Sequence, residues 1–311
     1  MIRLFRMNGS RKMIRFHVQT DGLNVRDYLL TKANLSRQTL KKIKFAGGAI
    51  YLNNTPVNVR APVKKGDTID CLLPKEVRSP NLYPVEMPLK IIYEDDFILV
   101  VNKPAGLPVM PKMGHDTASL AHGLIHYYNQ INLPYTVHIV TRLDQDTSGL
   151  VLVAKHQLAH GYFRDMKVKR RYLAVVEGKL KETSGIITLP IARKPGSIIE
   201  RSVDYDGKHA ETHYCVVEEA DAWSLLNIEL KTGRTHQIRV HFSHLQHPLI
   251  GDTLYGGTKD IANRQALHCY HLAFTQPYTN EVLSFIAPWP DDLPAIQGDL
   301  STLTAQKLID E

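Results

Sequence analysis

Apolar positions change their spacing several times along the chain, and each change marks an element. LNVRDYLLTKA (23–33) reads as a short helix and LSRQTLKKIKFAGG (35–48) as a second. In the second, Ser36 is placed as the N-cap, Leu35 and Leu40 are spaced to clasp the first turn, and Gly47 and Gly48 end the run. At about 100° per residue, Leu40 and Ile43 share a buried face, while Arg37, Lys41 and Lys44 fall within about 60° of arc on an adjacent one. AIYLNNTPVN (49–58) supplies two extended pieces around Asn53 and Asn54, and GDTIDCLL (66–73) alternates as a further strand. These elements make a small α/β module over residues 13–73.

Residues 74–88 carry Pro74, Pro80, Pro84 and Pro88 among polar neighbours. Proline neither continues a helix nor donates to a central ladder, so this stretch reads as a linker. Beyond it, LKIIYEDDFILVVNKP predicts two strands around a Glu94-Asp95-Asp96 turn, with further strands at GLVLVA (149–154) and YLAVVEG (172–178). AETHYCVVEEA and WSLLNIELKTG predict an antiparallel pair turning near Asp221, and THQIRVHFSHLQ predicts a helix with Ile238, Val240, Phe242 and Leu245 on a partly apolar face. Strands outnumber helices and mostly follow one another. Residues 89–311 are therefore expected to form a mixed α+β domain on a mainly antiparallel sheet.

With 311 residues, 43% hydrophobic and 22% charged, the chain can bury a sizeable core. Lys and Arg exceed Asp and Glu by 38 to 31, a formal +7, which suits a polyanionic partner. Residues 1–12 read as a basic extension, the MIRF at Met13 echoing the MIRL at Met1, without the apolar core of a signal peptide. The longest apolar runs, such as FILVV (97–101), fall far short of the ~20 residues that span a bilayer. Cys71, Cys215 and Cys269 form no CxxC pair and are odd in number. A soluble protein of the reducing cytoplasm is expected.

Several chemistries lack their residues. HAE at His209–Glu211 lacks the PCxxC that a zinc deaminase needs. His241, His244 and His247 recur along one helical side without a carboxylate or thiolate near in sequence, so no metal is expected. Neither GxxxxGK[ST] nor GxGxxG occurs, so neither a nucleotide nor a dinucleotide cofactor is expected. In RLDQDTSG, Asp146, Thr147 and Ser148 read as a capped turn ahead of a strand. Asp144 stands apart, two residues after Arg142, with a basic TGRTHQIRVH stretch later in the chain.

Residues 23–73, with their LSRxxLKK, GAIYLNNTPV and VKKGDTI segments, resemble the S4 RNA-binding domain, which implies RNA contact through Arg37, Lys41 and Lys44. VNKPAGLPV (101–109), TRLDQDTSGLVLVAK (141–155), KRRYLAVVEG (169–178), DGKHAETHY (206–214), LKTGRTHQIRVH (230–241), HPLIGDTLYGG (247–257) and LHCYHLAF (267–274) together resemble the RluA-type pseudouridine synthases. The resemblance implies isomerisation of uridine in structured RNA without a cofactor, with large-subunit (23S) ribosomal RNA favoured over tRNA, by a chain expected to be a monomer. It makes Asp144 the catalytic carboxylate, whether it attacks C1′, attacks C6 or removes a sugar proton. Tyr172 becomes the stacking and proton-transfer aromatic, and Arg239 the partner of Asp144. Arg142 is implied to fill the space left by a flipped base, and Lys103, Arg234, Thr235, His236 and Gln237 to contact RNA or brace the pocket. The sequence departs from the family's HRLD at Thr141, with His138 three residues earlier. A non-catalytic RNA-binding or ribosome-assembly protein, and a nucleoside hydrolase, are the rival readings.

Overall fold

The computed structural model describes residues 2–6, 12–111, 117–164 and 166–294. Of the basic extension expected over 1–12, residues 1 and 7–11 lie outside the described residues, as do residues 295–311 of the domain expected over 89–311.

Strands Ile2–Arg6, Lys12–His17, Thr68–Leu72, Ala49–Leu52 and Thr55–Pro56 form one antiparallel sheet in that spatial order. The echo between MIRL and MIRF becomes a pairing, with Ile2 opposite Phe16 and Arg6 opposite Lys12. Helices Val25–Thr31 and Arg37–Phe45 bury Val25, Tyr28, Leu29, Leu40 and Ile43 in a core shared with Ile14, Phe16, Ile50 and Ile69. Both starts are capped: Asn24 Oδ1 accepts from the Asp27 amide at 2.9 Å, and Ser36 Oγ from the Thr39 amide at 3.0 Å. The second helix ends at Phe45, Gly47 follows in the left-handed region at φ +85, and Gly48 passes so close that a Cβ there would stand 2.5 Å from the Ile43 carbonyl oxygen.

The proline-rich stretch is pinned down. Glu76 accepts from His138 Nε2 at 2.7 Å, from the Thr136 amide at 3.1 Å and from the Gln157 amide at 2.7 Å. Arg78 donates to the carbonyls of Tyr135 and Leu133 at 2.9 and 2.8 Å. Across the junction, Lys12 pairs with Asp96 at 2.5 Å, and the Tyr162 hydroxyl donates to the Ala33 carbonyl at 2.8 Å.

The larger sheet runs, in spatial order, Ser184–Ile187, Thr212–Glu219, Trp223–Leu230, Lys169–Glu177, Leu267–Thr275, Ser148–Ala154, Ile98–Lys103 and Lys90–Glu94. Two short strands, His138–Ile139 and Val282–Ile286, pair at its sides. The fold is thus α+β with a mixed, mainly antiparallel sheet. Its one parallel contact among the described residues sets Ser148 and Gly149 against His268 and Cys269. Gly149 has φ +114, and a Cβ would lie 2.2 Å from the Cys269 carbonyl oxygen, so the backbones meet there only because the residue is glycine. Two strands away, the register between Lys169–Glu177 and Leu267–Thr275 slips between Arg171 and Leu173. Tyr172 sits at that bulge, a device that re-aims side chains beside active sites.

His268, at the parallel contact, is buried and hydrogen-bonded through Nδ1 to Ser148 Oγ at 2.8 Å. Burial pulls its imidazole down to about 4. Between the ordinary value of 6.5 and about 4, the unfolded chain binds a proton that the folded chain does not, so stability present at neutral pH is lost as pH falls. In urea denaturation at pH 7 and pH 5, the wild type is expected to lose roughly 2 kcal/mol more than His268→Gln. Equal losses in the two proteins would show that the imidazole charges without unfolding.

Candidate active site

The turn carrying Asp144 is tied on every side. The Thr141 amide donates to the Leu152 carbonyl at 3.2 Å, and its hydroxyl oxygen accepts from the Leu152 amide at 2.9 Å. Thr141 therefore stitches the incoming loop to the buried strand. The Thr147 amide closes the turn onto the Asp144 carbonyl at 3.2 Å. Arg264 donates to the Asp146 carbonyl and to Ser148 Oγ, each at 3.1 Å. From below, the fully buried Lys103 donates to the carbonyls of Pro104, Leu107 and Gln145, each at 2.8 Å. Burial pulls the Lys103 ammonium down to about 7, with Asp146 and Asp144 acting against that and Arg264 with it.

The opposite wall is helix Gln237–His244, whose Arg239 is 6% exposed. Asp252, 2% exposed, accepts from Arg239 Nε at 2.6 Å and Nη2 at 2.8 Å, a two-point grip that leaves Nη1 aimed at Asp144 Oδ2, 3.2 Å away. Burial works against the guanidinium charge, but the hydrogen bonds and charge of Asp252 and Asp144 more than offset it, and the net shift is upward. The Tyr255 ring lies 4.9 Å from Arg239 Cζ.

His236 precedes this helix in the left-handed region, φ 59 and ψ 20, a conformation that sites hold at a cost of about 1 to 3 kcal/mol. Its Nδ1 is 2.8 Å from the Tyr255 hydroxyl, which accepts from the Arg201 amide at 2.9 Å, and its Nε2 is 3.8 Å from Asp144 Oδ2. Burial depresses the His236 imidazole, so it is neutral at neutral pH.

Between these walls lies a cavity of about 460 Å³, lined among others by Asp144, Arg142, Tyr172, Arg170, Arg234, Thr235, His236 and Arg239. That is room for a small organic group. Tyr172 is 4% exposed and burial pushes its phenol far above the ordinary value, so it stays protonated. Arg142 is exposed at the mouth and makes no hydrogen bond or ion pair with a described residue. Arg170 has a buried Nε without a hydrogen-bond partner among the described residues. The cavity joins a carboxylate, its guanidinium partner, a neutral phenol, a neutral imidazole and a cationic rim, a set able to stabilise a cationic sugar and a departing anion and to attract phosphates.

The structure brings Asp144, Tyr172, Arg239, Arg142, Arg234, Thr235 and His236 to this one cavity. Of the two roles open to Lys103 and Gln237, RNA contact or bracing, their hydrogen bonds serve bracing: Lys103 Nζ is directed at three carbonyls below the turn. Gln237, 2% exposed, has its amide spent within the protein: Oε1 accepts from Thr232 Oγ1 and the Arg234 amide, and Nε2 donates to the Glu211 carbonyl and Thr212 Oγ1. Nothing in the local sequence marks Asp252 and Tyr255 for these roles; the one signal is their place in the GDTLYGG block. His241 is held by Thr212 and the Leu189 carbonyl, and His247 by the Glu177 carbonyl. Arg37, Lys41 and Lys44 are exposed on the smaller module, away from the cavity.

A family model described as RNA pseudouridylate synthase matches residues 97–244. The chain is 44% identical over 275 residues to the uncharacterized RNA pseudouridine synthase YjbO of Bacillus subtilis (strain 168), covering 87% of this chain and 97% of that one. It is 35% identical over 293 residues to the ribosomal large subunit pseudouridine synthase D of Blochmanniella floridana, covering 86% and 91%. The solved structure of human RNA Pseudouridylate Synthase Domain Containing 1 matches with a TM-score of 0.55 at 26% identity, over 72% of this chain and 97% of that one. The fold is thus that of a pseudouridine synthase. The chain belongs to the RNA pseudouridine synthase family, among its RluA-type members, and is an RNA-modifying isomerase.

Replacing Lys103 by Met keeps the bulk but strips three carbonyls of their donor. The variant is expected to lose about 3 kcal/mol or more in denaturant titration, since each buried unmet acceptor costs roughly 1 to 3 kcal/mol. Its turnover on bound RNA should fall as the Gln145 tether is lost. Unchanged stability would mean that the carbonyls find water instead.

Proposed function

We propose that this chain converts specific uridines of structured RNA to pseudouridine, large-subunit ribosomal RNA being its substrate, with Asp144 as the reacting carboxylate. The observation that carries this reading is the 3.2 Å contact between Asp144 and an Arg239 that Asp252 holds in place, at the floor of a cavity walled by Tyr172. Relatives named for large-subunit ribosomal RNA support the choice of substrate.

The target nucleotide leaves its stack, at a cost of a few kcal/mol that is least in an unpaired region, and Arg142 at the mouth fills the vacated space. Asp144 assists cleavage of the bond between N1 and C1′, as nucleophile or as counter-charge to the sugar cation. Uracil departs as a delocalised anion, so no second carboxylate is required to protonate it. The base turns over against Tyr172 and rejoins C1′ through C5; the proton lost from C5 is balanced by one gained at N1. Atoms and electrons are conserved, and no redox partner is needed. Arg234 and Thr235 on the rim contact phosphates, and His236 presents a neutral imidazole beside the carboxylate.

The smaller module acts as an S4-type RNA-binding unit through Arg37, Lys41 and Lys44, whose side chains are all exposed on one helix. Such phosphate contacts make affinity fall steeply as salt rises. The protein works as a monomer in the cytoplasm.

Asp144→Ala is expected to abolish pseudouridine formation in a single turnover on bound RNA, while RNA affinity stays within about threefold of wild type and no free uracil is released. Conversion persisting in this variant would remove Asp144 from the chemistry. A wild type that binds RNA without converting it would instead favour an assembly protein.

A further inference from the structure

We infer that Phe45 is a base-stacking platform, so that the smaller module takes an unpaired nucleotide beside a run of phosphates; this rests on the reading of that module as RNA-binding. Phe45 ends helix Arg37–Phe45 and is 72% exposed, although the same helix buries Leu40 and Ile43. It stands four residues after Lys41 and eight after Arg37, hence on the basic face and not the apolar one. Lys44 Nζ lies 4.6 Å from the ring centroid, and no other aromatic ring among the described residues contacts it.

An aromatic ring left in water at the end of a cationic row lacks the apolar surroundings that a protein-binding anchor requires. Cations that track a phosphate backbone with an aromatic among them are the arrangement that single-stranded nucleic acid fits, because every base offers a π-face. The Lys44 ammonium is already on the ring and would meet a phosphate adjoining the stacked base. After Phe45 the chain turns through Gly47, φ +85, with Ala46 and Gly47 also exposed, leaving open surface on which a nucleotide can lie.

The test uses the full chain and two RNA probes, a short blunt duplex and the same duplex interrupted by a bulge carrying 2-aminopurine. Phe45→Ala is expected to weaken the bulged probe roughly tenfold, the factor that one stacked base carries, with the duplex affinity and the salt slope unchanged. Phe45→Trp should restore affinity, and its fluorescence should be quenched by the bulged probe. An unchanged ratio of the two affinities in Phe45→Ala overturns the stacking proposal. Combining Arg37→Ala, Lys41→Ala and Lys44→Ala separates the two readings. If that variant binds more weakly with a shallower salt slope while Phe45→Ala leaves the ratio unchanged, stacking alone falls. If it binds both probes like wild type, the RNA reading of the module falls and takes the stacking proposal with it.

Discussion

Everything at the cavity depends on how a buried guanidinium is held. Arg239 sits on a helix behind the site, and a single salt link to Asp144 would leave its fork free to swing. Asp252 removes that freedom by taking Nε and Nη2 together. A buried charge without such pairing costs several kcal/mol, so folding alone already requires the pair. Asp252 itself is fixed by the turn that follows: its carbonyl accepts from the Tyr255 and Gly257 amides, and Tyr255 packs its ring on Arg239 and its hydroxyl on His236. One short segment thus aligns both groups that face Asp144 from the helix.

The Asp144 side answers with backbone ties. Lys103, Arg264 and Thr141 each hold the loop or strand around the carboxylate. The parallel contact at Gly149 sets where the loop emerges, and the bulge at Tyr172 turns the phenol into the same space. Asp144 itself lies on a turn, but one tied to the buried strand on both sides, which keeps its geometry within the narrow tolerance that catalysis demands.

Element types were legible in the sequence wherever spacing was regular: the capped helix at Ser36, the strands at 149–154 and 172–178, and the helix of Gln237–His244. Helices Leu120–Gln130 and Gln157–Phe163 escaped because LAHGLIHYYNQ is apolar nearly all round and QLAHGYF is too short to show a period. Asp144, Tyr172 and Arg239 were legible through resemblance, and spacing alone would not have joined residues so far apart. For Lys103 and Gln237 the choice between RNA contact and bracing was not legible, for a common reason. A polar residue beside a recognised block looks like a ligand contact, whereas burial of its donors and acceptors is decided by neighbours distant in sequence, Gln145 for one and Glu211 for the other. Asp252 and Tyr255 were hidden by the same rule in reverse, since nothing local marks an Asp as the clamp of an Arg thirteen residues earlier.

The most direct measurement is the single-turnover rate of Asp252→Asn on bound RNA, read beside its affinity. The isosteric amide keeps the volume but cannot grip the guanidinium with two anionic oxygens. The rate is expected to fall about a hundredfold, as for a misplaced catalytic group, with affinity within about threefold of wild type. A rate equal to wild type would contradict the account, because Arg239 would then be aligned without its clamp.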